Sequence, residues 1–247
     1  MRKTIVEVCC GSADDVIESK KAGADRVELN SNLFLGGLTP TVGELMVAKE
    51  STGMQIMTMV RPREGGFCYT EAEYRTALAD AEILLKNGSD GIVFGFLNSD
   101  GTVNIERCRG ILNIIGKKES VFHRAIDVVP NWRETIDILC DLGVTRILTS
   151  GQSPSVFDGA QTVSDMIKYA RGRIQILPGA GIKPNNVKEI VDKTGCTQVH
   201  VSPHKICYDT SASGNSEIYF GSALYPPEDR FRVIDKDRIK DICGQIN

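Results

Sequence analysis

The stretch Gly23-Ala24-Asp25-Arg26-Val27-Glu28-Leu29 contains the pattern that decides the fold. A helix-like segment ends at the glycine, and a short run with apolar residues follows it directly. Glycine suits the left-handed backbone position just past a helix end. The stretch is therefore typical of the step from a helix into the next strand.

The same pattern recurs along the whole sequence. The glycines that end helix-like stretches are Gly23, Gly53, Gly88, Gly116, Gly143, Gly172 and Gly195. Successive glycines are 23 to 35 residues apart, which is about the size of one strand-plus-helix unit. With an opening run, the predicted strands are Thr4–Val8, Arg26–Leu29, Gln55–Val60, Gly91–Phe94, Ser120–His123, Arg146–Thr149, Ile174–Leu177 and Gln198–Val201. A helix separates each strand from the next, so all of these strands have to be parallel.

Eight such units predict the α/β class and a single (β/α)8 TIM-like barrel over residues 1–247. The helix starts agree: Thr39-Pro40 reads as an N-cap with proline at the first helical position, and capping boxes or close variants begin at Thr70 and Asn131. An open doubly wound sheet is the alternative, but its Gly-x-Gly-x-x-Gly turn is absent after the first strand. The polar segment Pro203–Val233 predicts a long loop after the eighth strand, a candidate lid or contact in a homo-oligomer.

Bulk composition excludes several classes of partner. The net charge is -3, and the lysines and arginines are scattered, which argues against nucleic acid and anionic membrane. The apolar run Thr4–Cys9 is too short for a signal-peptide core, and no later run is long enough to span a bilayer. The eight cysteines show no Cys-x-x-Cys pair and are expected to be reduced thiols. We therefore expect a soluble, cytoplasmic protein.

Polar residues and glycines lie at the carboxyl ends of most of the predicted strands, where a barrel gathers its functional groups. The members of this set are Glu7, Cys9, Glu28, Asn30, Arg61, Arg63, His123, Asp127, Ser150, Gly151, Gly179, Gly181, His200 and Ser202. Glu7 and Cys9 share a strand face, as do Glu28 and Asn30, while apolar neighbours of opposite parity face the helices. A buried glutamate needs a cation, and Arg61 is the candidate; a purely structural ion-pair network is the alternative.

The stretch Val121–Asp127 places an imidazole and a carboxylate near one strand end. If the strand continues, His123 and Asp127 point the same way. We interpret His123, with Glu7 or Glu28, as an acid/base pair, and Asp127 as the carboxylate that tunes the histidine. A satisfied core histidine is the alternative interpretation.

An anion site is predicted at the same mouth. Arg61 and Arg63 form a cationic loop after the third strand, and the turn Pro178–Ile182 with Ser202 lies where barrels often bind phosphate. The remaining candidate anion ligands are Ser150, Gly151 and His200. The glycines of the turn, Gly179 and Gly181, also fit a reading in which they serve only a tight connection.

Metal ligands are less well specified by the sequence. Cys9 and Cys10 are neighbours and cannot both face one site from a strand. Met57 and Met59 are more typical of barrel packing than of copper ligation. The predicted geometry also permits a metal site made of glutamates and histidines, and its members would be Glu7, Glu28, His123 and His200.

The ordered motifs resemble those of the CutC family of copper homeostasis proteins. They are Glu7-Val8-Cys9, Gly23–Leu29, Gly36–Pro40, Arg61-Pro62-Arg63 with Phe67-Cys68-Tyr69, Phe122–Ala125 with Asp127, Leu148–Gly151 and Gly179–Gly181. The resemblance implies a TIM-like barrel, a cytoplasmic location, copper as the bound ion and a role in copper handling. Copper ligation in relatives involves cysteines at the ends of the first two strands. Here Cys9 is present, but Asn30 stands at the second position, and asparagine is a poor ligand for a soft ion.

The sequence is compatible with two functions. The first is a copper-binding homeostasis protein, with Cys9 as a ligand. The second is a barrel enzyme that acts on a small phosphorylated or carboxylated metabolite, as isomerases, epimerases and lyases do. A Glu/His pair suits proton abstraction next to a carbonyl, whereas no strand-end lysine is available for a Schiff base.

Overall fold

The computed structural model describes residues 4–215, 217–221 and 225–246. Eight parallel strands form one sheet in the order β7-β6-β5-β4-β3-β2-β1-β8. These strands are β1 (Ile5–Cys10), β2 (Arg26–Leu29), β3 (Ile56–Met59), β4 (Gly91–Phe94), β5 (Glu119–Phe122), β6 (Arg146–Thr149), β7 (Gln175–Pro178) and β8 (Gln198–Val201). The helices are α1 (Ala13–Lys21), α2 (Val42–Thr52), α3 (Glu71–Lys86), α4 (Ile105–Ile115), α5 (Trp132–Asp141), α6 (Ala160–Ala170), α7 (Val187–Thr194) and α8 (Lys236–Ile246).

The sheet is nearly closed into a barrel. β1 pairs with β2 on one side and with β8 on the other. Between β7 and β8 a side chain bridges the gap, since Gln198 Nε2 donates to Gln175 Oε1 at 3.2 Å and to the carbonyl of Ile176 at 3.5 Å. The predicted TIM-like barrel is confirmed.

The predicted junctions between helices and strands hold with one exception. The repeat glycines all adopt positive φ: Gly23, Gly53, Gly88, Gly116, Gly143, Gly172 and Gly195. Thr70 forms the predicted capping box with Glu73, and Asn131 caps α5. The N-cap predicted at Thr39 is wrong, because Thr41 caps α2 and the Thr39 hydroxyl instead accepts a hydrogen bond from the Arg61 amide at 3.0 Å.

Strand parity separates two apolar layers. Val6, Val27 and Val199 belong to the large core that also contains helix residues. A smaller cluster consists of Met57, Met59, Val93, Val121, Leu148 and Leu177, residues whose parity points into the barrel. Polar side chains of the same inward parity complete the interior above and below this cluster.

β5 does not continue to Asp127, so the condition under which His123 and Asp127 would share a strand face is not met. β5 ends at Phe122, and a 3₁₀ helix spans Arg124–Val128. Alternation of side chains along a strand therefore stops at His123, and the parity argument cannot place Asp127.

The long connection after β8 is present, but part of it is ordered as a hairpin. β9 (His204–Tyr208) and β10 (Arg230–Ile234) pair antiparallel, and a 3₁₀ turn spans Thr210–Ala212. Within the predicted loop, residues 216 and 222–224 lie outside the described residues. Among the described helices, none combines the length and apolar character needed to cross a membrane.

Candidate functional site

A central pocket of about 270 Å³ opens at the carboxyl ends of the strands. Its lining residues are Cys9, Glu28, Asn30, Gly36, Met59, Arg61, Phe67, His123, Arg124, Leu148 and His200. The structure thus brings together six of the residues that the sequence singled out as site candidates. These are Cys9, Glu28, Asn30, Arg61, His123 and His200.

One wall of the central pocket holds three ligand-type side chains. Ligand atoms of Cys9, Glu28 and His200 all lie within 4.8 Å of one another. His200 Nδ1 is 2.7 Å from Glu7 Oε1, and its Nε2 is 3.7 Å from Glu28 Oε2. Asn30 donates its side-chain amide to Glu28 Oε2 at 2.9 Å and to Cys9 Sγ at 3.5 Å. The asparagine therefore positions its two neighbours.

Burial and mutual contacts set the protonation of this wall. Burial raises the pKa of the Cys9 thiol to about 12. Burial, assisted by the nearby Glu7 carboxylate, also raises the pKa of Glu28 against the opposing effect of His200. For His200, burial alone would lower the pKa, but Glu28 and the contacts with Cys9 and Glu7 outweigh it and raise the pKa well above 6.5. These shifts favour a neutral thiol at Cys9 and an imidazolium at His200 beside the Glu7 carboxylate.

Beneath the pocket lies a layer that we call the floor network. Its members are Glu7, Arg26, Glu119, Arg146, Gln175 and Gln198. Arg26 Nε pairs with Glu7 and Arg26 Nη2 donates to Gln198 at 2.9 Å. Arg146 Nη2 pairs with Glu119 at 2.7 Å. The cation that compensates Glu7 is therefore Arg26, and the expectation that Arg61 does so is wrong.

The opposite wall of the pocket carries two donors that are not used. The Arg61 Nη atoms donate to the carbonyls of Leu35, Gly37 and Gly65 at 2.8–3.0 Å. Arg61 Nε and His123 Nε2 have no hydrogen-bond partner among the described residues. Arg61 and His123 are only 7% and 4% exposed, so solvent water has little access to serve as the missing hydrogen-bond partner.

The state of His123 follows from its surroundings. The Ala125 amide donates to His123 Nδ1 at 3.1 Å, so the ring hydrogen is on Nε2. Burial, together with the positive charge of Arg61, lowers the pKa of His123 to about 3. The ring packs on Phe67 at 4.7 Å between centroids, and a Cβ added at Gly95 would lie 2.3 Å from it. His123 is a neutral, fixed hydrogen-bond donor of the central pocket.

Asp127 and Ser150 lie outside the lining of the central pocket and hold a neighbouring loop. The Asp127 carboxylate accepts hydrogen bonds from the Ser150 amide at 3.0 Å and from the Thr149 hydroxyl at 2.5 Å. It also forms an ion pair with Arg124 at 2.8 Å. Gly151 has positive φ, and an added Cβ there would be 2.4 Å from a backbone oxygen. Close packing therefore explains why residue 151 is a glycine.

Arg63 and Gly179 also have structural contacts. Arg63 pairs with Glu73 at 2.6 Å, and its guanidinium lies over Tyr69 at 4.9 Å. A Cβ at Gly179 would lie 2.8 Å from Leu148 and 3.2 Å from the His200 Cβ. Gly179 thus allows His200 to approach β7.

Gly181 and Ser202 line a second cavity, of about 390 Å³, which we call the basic pocket. Its lining residues are Gly181, Ile182, Lys183, Pro184, Ser202, Pro203, His204, Lys205, Ile206, Arg232 and Arg238. Of the predicted site residues, six thus line the central pocket and two the basic pocket, and the remaining six line neither: Glu7, Arg63, Asp127, Ser150, Gly151 and Gly179.

Sequence reasoning missed the floor network and most of the basic pocket. Arg26 has the same strand parity as Glu28, and Gln198 the same as His200, so the alternation was sufficient to place both inside the barrel. Arg232 and Arg238 gave no such signal, because the hairpin of β9 and β10 carries Arg232, and α8 carries Arg238, to this pocket only in three dimensions.

Comparison with known proteins agrees with this architecture. The family model described as "CutC family" matches residues 4–205. A CutC protein of Treponema denticola is 47% identical over 246 residues, which is 100% of both chains. The human copper homeostasis protein cutC homolog is 34% identical and aligns over 96% of this chain and 87% of its own length. A crystal structure of CutC from Streptococcus agalactiae superposes with a TM-score of 0.76 and 33% identity, and the alignment covers 80% of this chain and 97% of that one. The chain belongs to the CutC family.

Proposed function

We propose that this protein binds a copper(I) ion between Cys9, Glu28 and His200 and acts in copper homeostasis in the cytoplasm. The observation that carries the proposal is the convergence of three ligand atoms within 4.8 Å. Thiolate and imidazole both suit copper, and thiolate in particular favours the soft Cu(I) ion. Met59, another soft sulfur side chain, lines the same pocket.

The contacts behind the ligands support the same proposal. Ligating histidines usually donate their second ring N–H to a carboxylate or carbonyl, which fixes the ring. His200 Nδ1 has such a contact with Glu7 Oε1, and Glu7 is itself paired with Arg26. This contact directs Nε2 of His200 toward Glu28 and Cys9. Because the thiol and the imidazolium both have raised pKa values, binding of copper would release protons from Cys9 and His200.

Competition with a chromogenic Cu(I) chelator tests the proposal. Cys9→Ser should weaken Cu(I) binding by at least about a hundredfold, because a soft ligand is replaced by a hard one. Cys68→Ser is the matched control, since Cys68 is exposed and is not among the residues that line the pocket. Equal affinity of the wild type and Cys9→Ser would exclude Cys9 as a ligand.

A second candidate function is acid/base catalysis on a small metabolite, of the isomerase, epimerase or lyase type. The observation that favours it is that Arg61 and His123, whose Nε and Nε2 atoms have no hydrogen-bond partner among the described residues, line the pocket together with Glu28. These donors suit an oxygen that gains negative charge in the reaction. Glu28, whose pKa is raised by burial, suits removal of the proton on the adjacent carbon.

A thermal-shift screen of small carboxylated and phosphorylated metabolites tests this second function. A ligand of the pocket should raise the melting temperature, and the shift should be lost in Arg61→Ala and in His123→Asn. Arg63→Ala removes a nearby guanidinium outside the central pocket and should keep the shift. Absence of any stabilisation at millimolar ligand would contradict the enzyme function.

A further inference from the structure

We infer that the basic pocket binds the phosphate group of a metabolite whose remainder reaches the central pocket. The inference deepens the second candidate function and rests on it for the entry of a metabolite. It adds a chemical class of ligand, a phosphate monoester, and a set of residues for that group.

The charge of the basic pocket is the first observation. Four cationic side chains line it, and its described lining contains no aspartate or glutamate; the cations are Lys183, Lys205, Arg232 and Arg238. Arg238 contacts Asp235 at 3.3 Å. For Lys183, Lys205 and Arg232, no ion pair is found within the described part of the chain. Uncompensated cations gathered around one cavity attract an anion of more than one charge.

The polar atoms of the cavity are the second observation. Gly181 has a φ of +80°, and without a side chain its backbone is open to close approach by a ligand. The Ser202 hydroxyl lies 3.1 Å from His204 Nδ1. His204 Nε2 is buried, has no hydrogen-bond partner among the described residues, and lies 4.0 Å from an Asp15 carboxylate oxygen. The Gly181 backbone and the Ser202 hydroxyl thus accompany the cations, while the two ring nitrogens of His204 lie near Ser202 and Asp15.

The location of the cavity is the third observation. It lies between the loops that follow β7 and β8, where barrels of this architecture frequently bind phosphate. β8 and the residue after it connect the two pockets, because His200 lines the central one and Ser202 the basic one. Two residues of extended chain span about 7 Å. A metabolite the size of a small sugar phosphate can therefore reach from one pocket to the other.

Titration calorimetry with inorganic phosphate, at ionic strength held constant with sodium chloride, tests the inference. The wild type should bind phosphate, and Lys183→Ala/Arg232→Ala should weaken binding by about tenfold or more, since two charged contacts are lost. Both side chains are exposed, so the variant should fold. Lys86→Ala/Lys168→Ala makes the same change of charge on α3 and α6 and should bind like the wild type.

The outcomes separate this inference from the function on which it rests. Absence of phosphate binding in the wild type, or unchanged binding in Lys183→Ala/Arg232→Ala, overturns the phosphate site. His123→Asn should retain binding of inorganic phosphate, because His123 lines only the central pocket. If phosphate binds but no phosphorylated metabolite binds more tightly than phosphate itself, the phosphate site stands and the enzyme function fails.

Discussion

The floor and the mouth of the barrel contain the same kinds of buried polar side chain, but the two layers differ in how completely these side chains are paired. In the floor network, Glu7 is paired with Arg26 and Glu119 with Arg146. At the mouth, Arg61 and His123 line a cavity, and Arg61 Nε and His123 Nε2 have no hydrogen-bond partner among the described residues. Arg146 Nη1 also lacks a partner, but Arg146 does not line the central pocket.

The presence or absence of hydrogen-bond partners distinguishes structural polar residues of a barrel interior from residues of a ligand site. Buried charges that compensate each other mainly preserve the fold, and their loss exposes an unpaired partner. Buried donors that remain unused beside a cavity are costly to keep and are typical of a ligand site. Composition does not distinguish the two layers, whereas the hydrogen-bond partners do.

The largest expected effect comes from breaking the floor network. Arg26→Met leaves the Glu7 carboxylate buried without its guanidinium and should lower the free energy of unfolding by about 3–5 kcal/mol. Urea unfolding at pH 7 measures this change. A loss below about 1 kcal/mol would mean that His200 alone compensates Glu7 and that the floor is not the structural layer.

A second effect of the floor network is acid sensitivity. Burial would raise the pKa of Glu7, but Arg26 and His200 outweigh it and lower the pKa from 4.5 to about 2. The stabilisation from this group is therefore present above pH 4.5 and is lost as the pH falls toward 2, by about 3 kcal/mol. Glu7→Gln should flatten the stability profile in that window, and an unchanged slope would contradict the pairing.

A smaller effect on stability is expected at higher pH from His123, which lies at the mouth of the barrel. His123 has a folded-state pKa of about 3, below the usual 6.5, so the unfolded chain binds its proton first. Stability should fall by about 2 kcal/mol between pH 6.5 and 5 through this group. His123→Asn should remove that part of the slope, as measured by urea unfolding across the window. His200 makes no matching contribution there, because its pKa is raised and its stabilisation is lost only as the pH rises.

The smallest effect on stability is expected at the candidate copper ligand. Cys9→Ser should change the free energy of unfolding by less than about 1 kcal/mol, because the side chain lines a cavity and its described contacts are weak. A larger loss, measured by urea unfolding beside Cys68→Ser, would assign Cys9 to the structural layer.

The barrel could be predicted from the sequence because the signals that specify its helices and strands are local. Each repeat glycine marks a helix end, and alternation along β1, β2 and β8 places Glu7, Glu28 and His200 inside. The same alternation applied to Arg26 would have found the floor.

Other parts of the site depend on contacts that the sequence does not encode locally. Asp127 could not be placed, because a 3₁₀ turn follows His123 and the carboxylate then binds Ser150, on the connection after the next strand. The basic pocket depends on the pairing of β9 with β10, which brings Arg232 near Lys183. Contacts over such separations in the chain require the folded structure.

Anomalous diffraction at the copper absorption edge, from crystals grown with Cu(I) under reducing conditions, tests the function of the mouth most directly. We expect one strong peak between Cys9 Sγ, the Glu28 carboxylate and His200 Nε2, the atoms that converge on one wall of the central pocket. A peak only at the exposed Cys68, or no peak in the central pocket at saturating Cu(I), would contradict the copper site.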